Sequence, residues 1–375
     1  MSFSRTASML LVLGGCWGPV SASSQTLVQY NTTMDAAAAV MSMLAYGDTL
    51  SDYTSASSGT SDSKCRDDLS ALTIQNKITQ MFNTGPIDFT RTVTQGQDQL
   101  FAYIFSTANT VVVAFRGSCG PNIDASMSPV QVPGSRPVPQ PIGGDPLLWI
   151  IPANHSPNWV MNGNGASYTL AKGFNNKAAH MGWARALSYN NDSFYLELAQ
   201  WTRVALGKNT TKNLLITGHS MGGAMAHYWA YRFFDANDKW LPKATVEGGT
   251  RIVRTKVTTF GAPRGGYGAC GSNAFSLEVA YRKLSGYKLS VENPDDSNPA
   301  TTNASGVCPR TMGDRETFDQ SSFTIDVDGA HDVRNYMEYV IKEYMVGNAK
   351  SLRPDVDPTH PLDSSNYKID LTFQK

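Results

Sequence analysis

The sequence lacks an excess of charge of either sign. Among its 375 residues, 31 lysines and arginines balance 31 aspartates and glutamates, so the formal net charge is zero. Only 17% of the residues are charged, and no block of like charge runs along the chain. Because proteins bind nucleic acids through concentrated positive charge, this composition argues against a nucleic-acid partner.

The sequence also lacks the patterns of metal sites and membrane spans. It contains no Cys-x-x-Cys pair and no histidine-rich spacing, so it predicts neither a metal nor a cofactor. Beyond the first 22 residues, no stretch approaches the roughly 18 uninterrupted apolar residues of a spanning helix. With 41% hydrophobic residues, the chain has enough apolar material for one large core. We expect the mature protein to be soluble and monomeric.

Residues 1–22 have the order of a secretory signal peptide. Arg5 precedes an apolar stretch at 9–13, and small residues lead up to Ala22. This order is typical of secreted proteins and predicts cleavage after Ala22. The four residues that end at Cys16 (LGGC) also match a bacterial lipoprotein box, which would leave Cys16 lipidated. Secretion is therefore the first expectation, and lipoprotein anchoring is the alternative.

Four cysteines remain once residues 1–22 are removed, and an even number suits an oxidising compartment. Four cysteines allow three pairings. Cys270 and Cys308 flank the same C-terminal region, so we expect them to pair, which leaves Cys65 with Cys119. Five Asn-x-Ser/Thr sequons permit N-glycosylation. They begin at Asn31, Asn154, Asn191, Asn209 and Asn303.

Strand-like and helix-like segments alternate through most of the chain. Runs of β-branched and aromatic residues predict strands at 100–105, 111–115, 214–217, 256–260, 287–292 and 322–328. Helices are predicted at 34–46, 69–82, 184–206, 221–234 and 332–345. Such alternation predicts an α/β fold, with a mostly parallel central sheet and helices on both faces. We interpret 23–350 as one domain and 351–375 as an extended tail, with a short edge strand at 367–373.

A long proline-rich insertion interrupts this alternation at about residues 119–177. Nine prolines lie between Pro121 and Pro157, a density that excludes long helices and central strands. An apolar run at 147–151, together with Trp159, either faces lipid or docks the insertion on the body of the domain.

The sequence around Ser220 predicts a catalytic nucleophile. Residues 218–222 (GHSMG) match the pattern GxSxG, which alone is a weak signal in a chain rich in Gly and Ser. The context strengthens it, because strand-forming residues end directly before the motif and helix-forming residues follow it. This is the strand, sharp turn and helix of a nucleophile elbow. The alternative is a serine that only caps the following helix.

Chain order restricts the partners of Ser220. A serine hydroxyl needs a histidine as base and a carboxylate to orient that histidine, in the order Ser, acid, His. Of the six histidines, only His331 and His360 come late enough. We favour His331 because it precedes the last predicted helix, whereas His360 lies in the tail. The acid should follow the strand at 287–292, which leaves Asp295 and Asp296 as candidates.

Four blocks of the sequence resemble the class 3 lipases, the fungal triacylglycerol lipase family. The blocks are VVVAFRGS at 111–118, GHSMGGA at 218–224, FGAPR at 260–264 and HDVRNY at 331–336. Their order and spacing agree with the family over roughly residues 34–346. The resemblance implies an α/β-hydrolase fold and hydrolysis of lipid esters through an acyl-serine intermediate. The main departure is the insertion at 119–177, which occupies the position of the family's lid.

The resemblance also implies roles for individual residues. The family's acid is commonly written Asp-x-x-Pro, which matches residues 296–299 (DSNP) and favours Asp296 over Asp295. The family's oxyanion hole uses the residue that closes the Arg-Gly-Ser block and the amide after the nucleophile. The implied site consists of Ser220, Asp296 and His331, with oxyanion donors at Ser118 and Met221.

The substrate class stays open within this resemblance. A triacylglycerol lipase that acts on lipid esters, at a lipid–water interface, is the first expectation. A feruloyl esterase or a phospholipase A1 would use the same chemistry. A non-catalytic α/β-hydrolase that only binds a ligand would ordinarily have lost a member of the triad or the oxyanion donors, and the sequence retains all of them.

Overall fold

The structure is a computed structural model, and it describes most of the predicted α/β domain. The described residues are 26–28, 34–47, 69–95, 100–118, 168–170, 174–175, 177–207, 211–234, 245–246, 250–270, 272, 276–284, 287–292, 307–308, 310–317, 331, 333–341 and 367–370. The predicted signal peptide, the strand at 322–328, most of the insertion and most of the tail lie outside these ranges.

The described helices and strands follow the predicted order. The helices are α1 Met34–Leu44, α2 Ala71–Met81, α3 Met181–Leu206, α4 Met221–Phe234, α5 Leu277–Arg282 and α6 Val333–Ile341. The strands up to the nucleophile are β1 Thr26–Val28, β2 Phe82–Asn83, β3 Ile87–Gln95, β4 Leu100–Thr107, β5 Thr110–Phe115, β6 Tyr168–Leu170, β7 Ala178–His180 and β8 Thr211–His219. The later strands are β9 Thr245–Val246, β10 Thr250–Phe260, β11 Gly268–Ala269, β12 Tyr287–Glu292, β13 Val307–Cys308, β14 Asp314–Thr317 and β15 Tyr367–Asp370.

The central sheet is mostly parallel, as predicted. Its strands follow the order β14-β12-β10-β8-β5-β4-β3, and β9 pairs with β10. The neighbours from β5 through β8, β10 and β12 to β14 run parallel, whereas β3 and β4 add antiparallel strands at the other side. The carboxyl ends of β5, β8, β10 and β12 therefore meet at one edge of the sheet, where α/β proteins place their sites.

Hydrophobic cores cover both faces of this sheet. Successive residues of a strand point to opposite faces, and β5 shows this directly. Val111, Val113 and Phe115 pack into the core shared with α3 and α4, while Val112 and Ala114 pack into the core shared with α1, α2 and α6. A central strand buried on both faces explains why its sequence is an almost continuous apolar run. Helices on both faces and a mostly parallel sheet confirm the predicted α/β-hydrolase architecture.

A small second sheet contains β15, and it corrects one prediction. The tail segment at 367–373 was expected to be an edge strand. Instead, β15 lies in the middle of a three-stranded sheet, parallel to β1 on one side and to β2 on the other. The prediction was wrong because two short strands, distant in sequence, cover both edges of this segment.

One predicted disulfide lies within the described residues. Cys270 and Cys308 are bonded, with their Cα atoms 5.0 Å apart, next to the antiparallel pair of β11 and β13. The expected pairing of these two cysteines is confirmed. Cys16, Cys65 and Cys119 lie outside the described residues.

Candidate active site

Ser220 sits in the sharp turn between β8 and α4. Its backbone φ is 57°, in the left-handed region that non-glycine residues rarely adopt. The Ser220 amide donates to the carbonyl oxygen of Phe260 at 2.9 Å, and the Ser220 carbonyl accepts from Gly223 at 2.9 Å. The first bond ties the turn to the neighbouring strand β10, and the second begins α4. The predicted strand, strained turn and helix are therefore present at this residue.

Glycines allow this turn to pack tightly. A Cβ atom on Gly218 would collide with the carbonyl of Gly222 across the turn. A Cβ on Gly222 would lie 2.5 Å from the carbonyl oxygen of Phe115 and 2.7 Å from that of Arg116. Because backbone atoms cannot rotate away as a side chain would, both positions exclude larger residues. The first turn of α4 thus lies directly against the end of β5.

His331 lies within hydrogen-bond distance of Ser220. The Nε2 atom of His331 is 2.7 Å from the Oγ atom of Ser220, although the two residues are 111 positions apart in the sequence. Ser220 is buried and the imidazole of His331 is partly buried. A neutral His331 with an unprotonated Nε2 accepts the hydroxyl proton in this arrangement, which is the contact a general base needs.

A second histidine supports the backbone of His331. The Nε2 atom of His219 is 2.8 Å from the carbonyl oxygen of His331, and its Nδ1 atom is 2.9 Å from the hydroxyl of Tyr46. The rings of His219 and His331 have centroids 4.7 Å apart. His219 precedes the nucleophile, so chain order excluded it as the base, and no role was predicted for Tyr46. The position of His219 directly before Ser220, at the end of a central strand, is the signal in the sequence that could have identified His219 as part of the site.

Burial keeps His219 neutral. Its side chain is buried, and the loss of solvation moves its pKa well below the ordinary value of 6.5. The charge that His331 carries when protonated lowers the pKa of His219 further. His219 is therefore an uncharged hydrogen-bonding residue between Tyr46 and His331.

The two residues expected to supply the oxyanion donors follow β5 and β8. Met221 is buried and is the first residue of α4, where free amides and the helix dipole favour negative charge. Ser118 ends the described segment after β5, three residues beyond Phe115, and is partly buried. Since Gly222 contacts the backbone of Phe115 and Arg116, the two chain segments that carry these amides adjoin.

Glu292 is a buried carboxylate at the carboxyl end of β12, and sequence reasoning did not single it out. It accepts hydrogen bonds from Arg315 at 2.6 Å, from Thr311 at 2.8 Å and from Arg264 at 3.3 Å. These contacts fix the strand end from which the chain continues toward the candidate acids. Asp295 and Asp296 lie outside the described residues, as do His360, the run at 147–151 and Trp159.

No three His, Cys, Asp or Glu side chains in the described part of the chain come together as they would around a metal ion. Among the helices whose residues are described, none combines the length and the apolarity needed to cross a bilayer.

The chain is similar to known lipases in sequence and in structure. Residues 153–302 match the family model described as Lipase (class 3). No curated protein sequence matches the chain. A triacylglycerol lipase from Penicillium expansum aligns at 14% identity, over 84% of this chain and 90% of the lipase, with a TM-score of 0.42. Lipase II from Rhizopus niveus aligns at 13% identity, over 81% and 87%, with a TM-score of 0.40. Lip2 lipase from Yarrowia lipolytica aligns at 14%, over 76% and 78%, with a TM-score of 0.40.

The matched segment contains the nucleophile elbow, the FGAPR block and β12. These are the elements whose geometry brings Ser220 to the edge of the sheet. The resemblance to the class 3 lipases, a family of lipase-type ester hydrolases, is thereby confirmed for residues 153–302.

Proposed function

We propose that this protein is a secreted serine carboxylic-ester hydrolase, most specifically a triacylglycerol lipase. The contact of 2.7 Å between Ser220 Oγ and His331 Nε2, at a strained turn between a strand and a helix, carries the proposal. The match of residues 153–302 to the class 3 lipases supports a carboxylic ester as the substrate.

The proposed reaction begins with attack by Ser220. His331 takes the hydroxyl proton at Nε2 while Oγ bonds to the ester carbonyl carbon, which forms a tetrahedral oxyanion. The protonated His331 then gives that proton to the leaving alcohol, and an acyl-serine remains. Water attacks the acyl-serine in the second half, with His331 again as base, and releases the acid. Asp296 is the proposed acid that accepts from His331 Nδ1 and stabilises the imidazolium.

The oxyanion is proposed to bind to the amides of Ser118 and Met221. Negative charge that develops at the substrate oxygen needs donors that are already oriented and shielded from water. The start of α4 meets this need at Met221, because the first amides of a helix have no partner within it. Loss of a single donor of this kind typically lowers kcat by about 100-fold or more.

Residue types in the insertion support a lipid rather than a small soluble ester. The apolar run at 147–151 and Trp159 would contact acyl chains if this segment covers the site as a lid. The signal-like residues 1–22, the disulfide between Cys270 and Cys308 and the sequons support secretion.

The test is hydrolysis of an ester panel, with emulsified triglycerides, a phospholipid and a feruloyl ester offered in parallel. We expect the highest rate on triglycerides, and we expect Ser220→Ala to abolish turnover while the unfolding temperature stays within a few degrees. A fluorophosphonate probe should label the wild type and not Ser220→Ala. Turnover by Ser220→Ala would refute the mechanism. A folded wild type that neither labels nor turns over would instead be a binding protein.

A further inference from the structure

We propose that Tyr46 and His219 form a positioning pair that holds the backbone of His331, and with it the imidazole, in line with Ser220. The inference rests on the proposed function and adds two residues to it. The hydrogen bond of His219 goes to the backbone of His331 and not to its imidazole, although the two rings adjoin, with centroids 4.7 Å apart. Both act through the carbonyl oxygen of His331, which His219 reaches at 2.8 Å.

The direction of each hydrogen bond follows from chemistry. A carbonyl oxygen cannot donate, so the Nε2 atom of His219 must carry the proton and donate to His331. A neutral imidazole carries only one such proton, so Nδ1 must accept, and the hydroxyl of Tyr46 donates to it. The chain of bonds therefore runs from Tyr46 to His219 to His331. It specifies a single tautomer of the middle residue.

Tyr46 is fixed at its own position by two sets of contacts. It lies just beyond the end of α1, where its amide donates to the carbonyl of Met43 at 2.9 Å, and it is almost completely buried. Its hydroxyl also lies against Gly117, where any Cβ atom would collide with it. Gly117 precedes Ser118, a proposed oxyanion donor. The hydroxyl of Tyr46 thus lies next to both His219, which holds His331, and the loop that carries Ser118.

His331 needs such support because it lies two residues before α6 begins. Its backbone is outside the helix, so the bonds within the helix do not fix its orientation. The bond from His219 connects it to the residue directly before the nucleophile. The base is thereby connected to His219, the residue directly before the nucleophile, and its backbone cannot move away from Ser220 without breaking this part-buried hydrogen bond. Misplacement by about 1 Å is sufficient to slow catalysis markedly.

Two substitutions of His219 separate this role from a structural one. The amide nitrogen of glutamine reaches about as far as Nε2, so His219→Gln keeps a donor for the carbonyl of His331. The amide oxygen of asparagine lies near the place of Nδ1, so His219→Asn keeps the acceptor for Tyr46 and loses the contact with His331. We expect kcat of His219→Gln, which loses only the contact with Tyr46, to fall about three- to tenfold, and kcat of His219→Asn to fall at least tenfold and below that of His219→Gln, with KM of both within twofold.

Tyr46→Phe provides the second arm, because it removes one hydroxyl and keeps the ring. The matched control is Tyr103→Phe, because the hydroxyl of Tyr103 donates to the carbonyl oxygen of Met41 in α1 at 2.8 Å and lies in the core rather than at the site. We expect Tyr46→Phe to lower kcat about three- to tenfold, with little change in KM, and Tyr103→Phe to leave kcat unchanged although it lowers the unfolding temperature.

The outcomes separate this inference from the proposed function. If the wild type hydrolyses esters and the two His219 variants have equal kcat, or Tyr46→Phe behaves as Tyr103→Phe does, the positioning role is wrong and the proposed function stands. If activities of the folded variants follow their unfolding temperatures rather than the contact with His331, the role is structural and the inference is also overturned. If the folded wild type is inactive on every ester, both the proposed function and the inference fail.

Discussion

Acid should destabilise this protein at a pH well above that at which carboxylates protonate. His180 and His227 are both buried, and burial lowers the pKa of each from 6.5 to about 3. The ring of His180 stacks on Trp183 with centroids 3.6 Å apart. The ring of His227 forms hydrogen bonds with Tyr281, Thr259 and Ser290 at 2.8 to 3.0 Å. Burial is the main cause of its lowered pKa, and the charge of Lys288 lowers that pKa further. Both rings are therefore neutral in the folded state at neutral pH.

The sign and size of the effect follow from proton linkage. In the unfolded chain these histidines bind protons as the pH falls through about 6.5, while the folded state does not bind them until about pH 3. The contribution of these two histidines to the free energy of unfolding is fully present above about pH 6.5 and is lost as the pH falls toward 3. At pH 5 each histidine lowers the free energy of unfolding by about 2 kcal/mol, and the two together lower it by about 4 kcal/mol. The result depends little on the folded pKa, because pH 5 lies well above it. His219 acts in the same direction, since its pKa is also lowered.

Urea unfolding at pH 8 and pH 5 measures this loss, and His227→Gln tests its origin. The variant removes one titrating group, so its free energy of unfolding should fall by about 2 kcal/mol less between the two pH values than that of the wild type. The variant will also be less stable at pH 8, where Thr259, Ser290 and Tyr281 lose a partner, but the comparison uses only the difference between the two pH values. An identical pH dependence in wild type and variant would refute the assignment.

Two further predictions concern stability. Replacing Cys270 and Cys308 by alanine should lower the free energy of unfolding by about 4 kcal/mol, because the unfolded chain gains the entropy of a loop whose ends are 38 residues apart. Urea unfolding measures this loss, and an unchanged midpoint would contradict it. Gly222→Ala should lower the free energy of unfolding by about 1–3 kcal/mol, because the added methyl group meets the backbone of Phe115 and Arg116. Thermal unfolding measures this change. Wild-type stability in the variant would show that the start of α4 and the end of β5 separate readily.

The sequence was sufficient for elements whose signal is local. The apolar run of β5 and the residues before Ser220 predicted strands, and the structure buries both strands on two faces. The glycines around Ser220 predicted a tight turn, and the collision of added Cβ atoms with backbone carbonyls gives the reason. Such features can be predicted from short segments of sequence because the residues that cause them are neighbours along the chain.

Features that depend on distant contacts were missed. The strand β14 (DRET) is short, polar and largely exposed, so it has no apolar pattern, and it forms because β12 presents a free edge. The relation between Tyr46, His219 and His331 joins three separate parts of the chain. Each of these residues has an unremarkable local context apart from the motif next to Ser220. Only the folded arrangement places one hydroxyl, one ring and one carbonyl in a row.

The small sheet has a consequence for the order in which the chain folds. Because β15 pairs with β1 and β2 on its two sides, the first described strand and the last one depend on each other. A ribosome releases β1 long before it makes β15, so this sheet forms only after residues 367–370 have been synthesised. Contacts between residues so distant in sequence also form slowly, since a long loop must close first. We expect this sheet to be the last part of the described structure to assemble.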